Sequence, residues 1–315
     1  MGEDVGPPSV PGIPRSHRVD AGSIEEIQDV ERLLADSGYV CDREIATALF
    51  LAMRLRRPLL IEGYAGVGKT EIAKVLAHAL GTELIRLQCY EGLDAASALY
   101  EWNYAKQILR IRIEEKSTYS PGDTEAHIFD EAYLLERPLL RALRQTRSPV
   151  LLIDEIDRAD EEFEAFLLEV LSEYQVSIPE LGTIRAEHPP YVVLTSNRVR
   201  ELGEALRRRC LYLWIDYPSL SKELNIVQTR IPDIDTVLAG QICRFVETLR
   251  GYDLDKRPGV AESLDWAQAL MVLHADHLSP ELARATLGCV VKTKRDIEQV
   301  MRKIPELLVE AKRTG

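Results

Sequence analysis

The sequence has few cysteines and no long apolar run. Its 315 residues include five cysteines, which are widely separated and show no C-x-x-C spacing, so neither a disulfide framework nor a zinc site is expected. No apolar stretch approaches the ~20 residues that a membrane-spanning helix needs. Residues 1–20 lack the charged-then-apolar pattern of an export signal. A reducing cytoplasm is therefore the simplest compartment.

Basic charge is also in short supply. The chain has 39 lysines and arginines against 51 aspartates and glutamates, which gives a net charge of −12. Such a balance disfavours sequence-independent binding along nucleic acid, although it leaves room for a local basic groove. Residues 1–22 are rich in proline and glycine without apolar periodicity, and they predict a flexible tail.

The stretch 58–70 has the pattern of a phosphate-binding loop. An apolar run at 59–61 predicts a buried strand, residues 63–70 fit G-x-x-x-x-G-K-[ST], and residues 71–80 predict a helix. Glycines let backbone N–H groups turn toward an anion at the positive end of that helix. The residues expected to contact the nucleotide are Gly63, Tyr64, Ala65, Gly66, Val67, Gly68, Lys69, Thr70 and Glu71. A glycine-rich turn with a chance Lys-Thr is the alternative, which the flanking strand and helix disfavour.

Within this loop, Lys69 is expected to reach the β- and γ-phosphates of ATP, and the Thr70 hydroxyl to bind Mg²⁺. A second apolar run at 150–153 ends in Asp154 and Glu155, which predicts a central parallel strand with carboxylates at its carboxyl edge. Asp154 suits a Mg²⁺ contact, usually through water, and Glu155 suits the orientation or deprotonation of an attacking water.

Two further features follow along the chain. The apolar strand at 191–196 ends at Asn197, whose amide could bond the γ-phosphate or the lytic water; a turn-forming asparagine is the alternative. A short helix ends in Arg207, Arg208 and Arg209, just before a strand at 210–215. Arginines at a helix end usually complement its dipole, but in an oligomeric ATPase they can also act in trans on a neighbour's nucleotide.

These motifs in this order resemble the AAA+ ATPases. An insertion at about 89–124 and a hairpin at about 174–187 look like the branch with a helix-2 insert and a pre-sensor hairpin, and within it the MoxR family. The stretches LQCYEGLD (87–94), YEWNY (100–104) and ALRRRCLYLWIDYP (205–218) are similar to the ATPase that accompanies carbon monoxide dehydrogenase and related molybdenum hydroxylases.

The resemblance implies an α/β nucleotide domain at 23–218, with a parallel five-stranded sheet, and an all-helical lid at 219–315. It implies a homo-oligomeric ring, expected as a hexamer, with ATP and Mg²⁺ between subunits. Arg209 is the first choice for an arginine finger and Arg208 the second, and Asn197 is sensor 1. The family matures or remodels metalloenzymes, commonly with a von Willebrand A-domain partner.

One stretch departs from the MoxR pattern. Where the family's lid usually carries a sensor 2 arginine, this chain has Asp265, so either Lys256 or Arg257 takes that role or sensor 2 is absent. Two other functions stay open: a nucleic-acid-associated AAA+ motor, and a nucleotide-switched scaffold with little turnover. The acidic charge disfavours the motor, and Glu155 with the three arginines disfavours the scaffold.

Apolar periodicity also predicts helices whose limits can be compared with the structure. They include a helix at 24–36 that is capped by Ser23 with Glu26, an interrupted helix at 125–147, and a helix at 260–277. His274 and His277 fall near one face of the last of these. A surface helix end explains them better than a metal site, because no further ligand is evident.

Overall fold

A parallel five-stranded sheet lies at the centre of the α/β part of the protein. The structure, a computed structural model, describes residues 24–114, 130–179 and 181–312. The strands in chain order are β1 (Leu59–Gly63), β2 (Leu84–Gln88), β3 (Tyr100–Trp102), β4 (Leu134–Glu136), β5 (Val150–Asp154), β6 (Gln175–Ile178), β7 (Gly182–Arg185), β8 (Tyr191–Ser196) and β9 (Leu211–Ile215). The central sheet has the order β2-β5-β8-β1-β9, and every pairing in it is parallel.

Helices cover the sheet and form the C-terminal part. They are α1 (Ile27–Asp36), α2 (Arg43–Leu55), α3 (Lys69–Ala79), α4 (Ala95–Leu99), α5 (Tyr104–Glu114), α6 (Pro138–Leu143), α7 (Glu161–Glu173), α8 (Glu204–Arg209), α9 (Leu220–Arg230), α10 (Thr236–Arg250), α11 (Val260–Val272), α12 (Pro280–Thr286) and α13 (Lys294–Ala311). Among the described residues, no helix has both the length and the apolar character needed to cross a membrane.

Alternation along the buried strands builds two hydrophobic cores. Leu60, Leu151 and Leu194 pack on one face of the sheet, against α6 and α7. Leu59, Leu152 and Val193 point to the other face, against α1, α2 and α3. Strands that are buried on both faces need such uninterrupted apolar runs, which explains why the sequence at 59–61 and 150–153 carries no polar residue.

A third hydrophobic cluster lies within the C-terminal helices. It runs from Val227 to Ala311 and is centred on Phe245 and Trp266, whose rings meet edge to face with centroids 5.0 Å apart. The P-loop core, the insert with β3, the β6–β7 hairpin and the C-terminal helices agree with the predicted fold class. The domain limits at 22/23 and 218/219 stay a prediction, and the predicted tail at 1–22 lies outside the described residues.

Two predicted helix limits are wrong. The first helix begins at Ile27 rather than at 24, because Glu26 is its N-cap and Asp29 closes a capping box by accepting the backbone N–H groups of Glu25 and Glu26. The helix predicted to reach 277 ends at Val272, and His274 then adopts a left-handed φ of 53° that no helix can continue.

The helix predicted over 125–147 is wrong in the part that the structure describes. Residues 131–133 form a short 3₁₀ turn, and β4 follows as the antiparallel partner of β3. Leu134 lies opposite Trp102, and both side chains are buried, so tertiary pairing overrides the local helical pattern. Of the predicted range, the described residues 130–147 contain one α-helix, α6.

Candidate functional site

The loop between β1 and α3 has the backbone that an anion-binding turn requires. Gly66 and Gly68 have φ values of 74° and 93°, a region that side chains other than glycine rarely adopt, and α3 begins directly at Lys69. Gly63 is fixed for a different reason, since a Cβ atom there would lie 2.1 Å from the carbonyl oxygen of Ile215. The N-terminal end of α3 therefore points into the loop, where its positive dipole favours phosphate.

The Lys69 side chain is folded into this loop. It is only 7% exposed, and its Nζ donates to the carbonyl oxygens of Gly63 and Tyr64 at 2.8 and 2.6 Å and to Oδ1 of Asn197 at 2.7 Å. Burial lowers the pKa of Lys69 to about 8, against the opposing attraction of nearby carboxylates, of which Asp157 contributes most. The ammonium is thus held where a phosphate would meet it.

The Asp154 carboxylate lies at the carboxyl end of β5 and is 2% exposed. Its Oδ1 accepts the hydroxyls of Thr70, at 3.0 Å, and Thr195, at 2.5 Å. Its Oδ2 accepts Nε and Nη2 of Arg86 at 3.0 and 2.5 Å. The structure thus joins Thr70 and Asp154, the two residues predicted to serve the metal.

Glu155 follows in a left-handed conformation, with φ 55°. This turn aims its side chain at the carboxyl edge of the sheet, where Oε1 accepts Nδ2 of Asn197 at 3.2 Å and Oε2 accepts Nε2 of Gln88 at 3.1 Å. Arg158 forms an ion pair with the same carboxylate at 2.8 Å. A non-glycine residue that is held in this region by several partners is typical of functional sites.

Asn197 connects the two halves of the site. Its amide accepts from Lys69 through Oδ1 and donates to Glu155 through Nδ2, so one side chain contacts both the loop cation and the predicted catalytic carboxylate. Asp157 holds the backbone there, because its Oδ2 accepts the N–H groups of Asn197 and Val199 at 3.1 and 2.8 Å. The other Asp157 oxygen, Oδ1, is buried without a hydrogen-bond partner.

A cavity of about 550 Å³ lies beside these groups, which is within the range of ligand pockets. The loop, Asp154, Glu155 and Asn197 line one side, and helices α9 and α11 line the other. Two cations from α9, Lys222 and Arg230, reach the cavity and form ion pairs with Asp42 and Glu71. Sequence reasoning missed both, and no local motif marks them.

The predicted sensor 2 candidates lie elsewhere. Neither Lys256 nor Arg257 lines the cavity, and Asp265 is exposed. The start of α11 instead packs directly on the loop, where the N–H of Ala261 donates to the Gly66 carbonyl at 3.2 Å. A Cβ atom on Gly259 would lie 2.7 Å from the carbonyl carbon and oxygen of Gly66.

Of the three arginines of α8, Arg208 and Arg209 lie toward the opposite edge of the sheet, because α8 ends just before the amino end of β9, whereas Arg207 pairs with Glu62 of β1 at 3.5 Å. None of them lines the cavity. Arg209 donates to the Leu168 carbonyl at 2.6 Å, and Arg208 pairs with Glu204 in a contact whose two side chains are 77% exposed. Neither residue serves the nucleotide cavity of its own chain, and their role as fingers stays a prediction.

The donors at this site fit Mg²⁺ bound with a nucleotide. Thr70 and Asp154 supply hard oxygen atoms at the start of α3, and Mg²⁺ usually completes its shell with water and phosphate oxygens. Within the described ranges, no group of three or more His, Cys, Asp or Glu side chains is arranged to hold a metal without such additional ligands.

Comparison with known proteins agrees with this geometry. Residues 58–210 match the family described as the AAA domain of the dynein-related subfamily. This segment therefore has the sequence pattern of an AAA domain. An uncharacterised protein of Staphylococcus haemolyticus is 26% identical over 234 residues, which are 72% of this chain and 80% of that one. The gas vesicle ATPase GvpN of Haloferax mediterranei is 26% identical over 253 residues, which are 76% of this chain and 71% of that one.

Solved structures similar to the chain include RuvB of Thermotoga maritima. A RuvB mutant is 18% identical with a TM-score of 0.49, covering 93% of this chain and 81% of that one. The RuvB Holliday junction branch migration motor is 19% identical with a TM-score of 0.46, covering 96% and 80%. The segment that matches the AAA family, 58–210, contains the loop, β5 and β8, and so includes Lys69, Glu155 and Asn197.

Proposed function

We propose that this protein is an ATP-hydrolysing AAA+ remodeller of the MoxR type that works in the cytoplasm as a ring, expected as a hexamer. The observation that carries the proposal is the convergence of Lys69, Glu155 and Asn197 through direct hydrogen bonds at one cavity. A phosphate site alone needs only the loop. A neutral amide that contacts the loop, and a carboxylate bonded to that amide, are what hydrolysis adds.

Each side chain has a role in this proposal. Lys69 and the N–H groups of the loop bind the phosphates. Thr70 and Asp154 hold Mg²⁺, which neutralises phosphate charge when bound. Glu155 orients a water and takes its proton, and Asn197 detects the γ-phosphate because it already contacts both Lys69 and Glu155. The GvpN relative is named an ATPase, which supports the same activity for this chain.

The proposal extends to assembly and to the client. Arg209 or Arg208 of one subunit completes the nucleotide site of the next, which their position at the far edge of the sheet supports. The resemblance of the sequence at 87–94, 100–104 and 205–218 supports a molybdenum hydroxylase, such as carbon monoxide dehydrogenase, as the client. The same resemblance supports a von Willebrand A-domain protein as the partner. The client and the partner rest on that resemblance.

Phosphate release per subunit, measured against protein concentration, tests the central part. A ring whose sites are completed by neighbours gains specific activity as it assembles. A nucleotide-switched scaffold gives a flat and near-zero curve, which would contradict the proposal. Binding to a labelled oligonucleotide at physiological salt tests the motor alternative; tight binding there would favour the motor over a protein remodeller.

A further inference from the structure

Arg86 lies in β2, beside the predicted metal carboxylate. Strand β2 pairs with β5 in parallel, with Gln88 opposite Asp154, and Arg86 is two residues earlier on the same face. Its guanidinium reaches the Asp154 Oδ2 with Nε at 3.0 Å and Nη2 at 2.5 Å. The Arg86 side chain is 49% exposed, whereas that of Asp154 is 3% exposed, so a surface cation reaches inward to a buried anion.

The hydrogen bonds of Asp154 leave no acceptor site open. A carboxylate offers about four lone-pair sites. Thr70 and Thr195 take the two on Oδ1, and the two nitrogens of Arg86 take those on Oδ2. The Thr70 hydroxyl can keep its bond to Asp154 and also bind Mg²⁺, because it donates with its hydrogen and would bind the metal with an oxygen lone pair. A metal-bound water that bonded Asp154 would have to displace one of these donors, and the Arg86 guanidinium on Oδ2 is half exposed whereas Thr195 is buried.

Arg86 also contacts the side chain that holds the second carboxylate. Its Nη2 donates to Oε1 of Gln88, and Nε2 of Gln88 donates to Glu155. Arg86 and Gln88 of β2 therefore contact the predicted metal carboxylate, Asp154, and the predicted catalytic carboxylate, Glu155. A shift of the Arg86 guanidinium changes the hydrogen bonding of both.

We propose that Arg86 is a positioning residue that opposes Mg²⁺ at this site, holding Oδ2 of Asp154 until the metal–nucleotide complex displaces it. This inference rests on the proposed function, since it assigns regulation to the same site. The physical basis is competition for one oxygen, to which the repulsion between the guanidinium and the divalent cation adds. Because Arg86 is half exposed, solvent weakens the effect, and we expect a three- to tenfold shift, on the order of one charge-assisted hydrogen bond.

The test is Mg²⁺ titration of nucleotide binding, which needs no turnover. A fluorescent, non-hydrolysable ATP analogue is bound to the wild-type chain and to Arg86→Gln at fixed concentration, and Mg²⁺ is raised from an EDTA baseline. In Arg86→Gln, half-saturation is expected at a three- to tenfold lower Mg²⁺ concentration, because Oδ2 becomes free. Arg86→Lys retains the charge but not the two-nitrogen fork, so we expect an intermediate value.

Two controls separate this effect from a structural one. The EDTA-baseline affinity is expected to be equal in all variants, because Arg86 does not line the nucleotide cavity. Arg295→Gln removes a surface arginine that pairs with Asp255 in the C-terminal part, and we expect no shift. Thermal melting checks that each variant is folded; if Arg86→Gln does not fold, Arg86→Lys carries the comparison.

A shift to higher Mg²⁺, or no shift, would overturn the inference, because Arg86 would then support the metal site or be irrelevant to it. If the wild-type chain bound the analogue neither in EDTA nor in Mg²⁺, the proposed function would fail as well. Binding with unchanged Mg²⁺ dependence would remove the role of Arg86 alone. The two failures are therefore distinguishable.

Discussion

Nζ of Lys69 lies 2.7 Å from Oδ1 of Asn197, although the two residues are 128 positions apart in the chain. The contact joins the phosphate-binding loop, which follows β1, to the end of β8, the strand beside β1 in the central sheet. A phosphate that takes the ammonium must therefore replace, or share, the amide oxygen. The proposed function therefore predicts that nucleotide binding at the loop changes the contacts at the end of β8.

Replacing Lys69 by alanine should abolish ATP binding. The change removes the loop cation, with a loss of about 3 kcal/mol or more, which is ~100-fold or more in Kd. Isothermal titration calorimetry measures it, with Lys303→Ala as control because Lys303 does not line the cavity and pairs with Glu306 on α13. Retained tight binding in Lys69→Ala would refute the assignment of the loop.

Glu155→Gln should bind ATP, remain assembled and fail to hydrolyse it. Glutamine keeps the size of the side chain but cannot take a proton from water, so turnover should fall by about 10²-fold or more. Phosphate release and size-exclusion chromatography in ATP measure the two properties. Glu162→Gln, at an exposed position of α7, is the matched control. Normal turnover in Glu155→Gln would show that Glu155 is not the catalytic carboxylate.

The same variant can identify the client. Affinity capture with Glu155→Gln in ATP, followed by mass spectrometry, shows which proteins stay bound.

Subunit mixing tests the arginines of α8. Arg209→Ala should bind ATP but lose turnover, and mixing it with Lys69→Ala subunits should restore part of the activity if the finger acts in trans. Arg209 has to leave the Leu168 carbonyl to do so, whereas Arg208 has to break its exposed pair with Glu204. Arg208→Ala is therefore tested in parallel. If no mixing ratio rescues either variant, an intersubunit finger at these positions is contradicted.

The pKa of Lys69 makes nucleotide binding dependent on pH. Burial lowers this pKa from 10.5 to about 8, and bound phosphate favours the charged form, so binding above pH 8 takes up a proton. Affinity should fall as pH rises above about 8, by at most about tenfold per pH unit.

In the free protein the unfolded chain binds more protons between pH 8 and 10.5 than the folded chain does, so the Lys69 contribution to the free energy of unfolding rises with pH there.

Calorimetry in two buffers of different ionisation enthalpy measures that proton uptake. Uptake should be absent near pH 7 and should approach one proton per nucleotide above pH 8. Lys69→Arg is the control, because a guanidinium stays charged throughout this range. Equal proton uptake in Lys69→Arg, or none in the wild-type chain, would show that Lys69 is not the titrating group.

Two glycine-to-alanine changes compare a tight position with an open one. At Gly259 a Cβ atom would lie 2.7 Å from the backbone of Gly66, so the loop and α11 must separate. We expect Gly259→Ala to lower the free energy of unfolding by about 1–3 kcal/mol. At Gly288 nothing lies within 4 Å of the added atom, and the change should stay within about 0.5 kcal/mol. Urea denaturation measures both, and equal effects would contradict the close contact.

The parts that could be predicted from sequence are those whose signal is local. The loop at 63–70 and the apolar strand before Asp154 have fixed short patterns, and both occur where expected. Arg86 contacts a residue 68 positions away, and Arg230 pairs with Glu71 at a distance of 159 positions, so no short pattern announces either. Strand β4 was missed for the same reason, because its partner β3 is far along the chain.

The close approach of Gly66 and Gly259 connects the loop after β1 to the start of α11 through uncharged backbone atoms. Ion pairs such as Arg230–Glu71 weaken as salt screens them, whereas contact between two backbones does not. High ionic strength should therefore loosen the walls of the cavity while the start of α11 stays seated on the loop. A movement of the loop should therefore move the start of α11 with it, both at low and at high salt concentration.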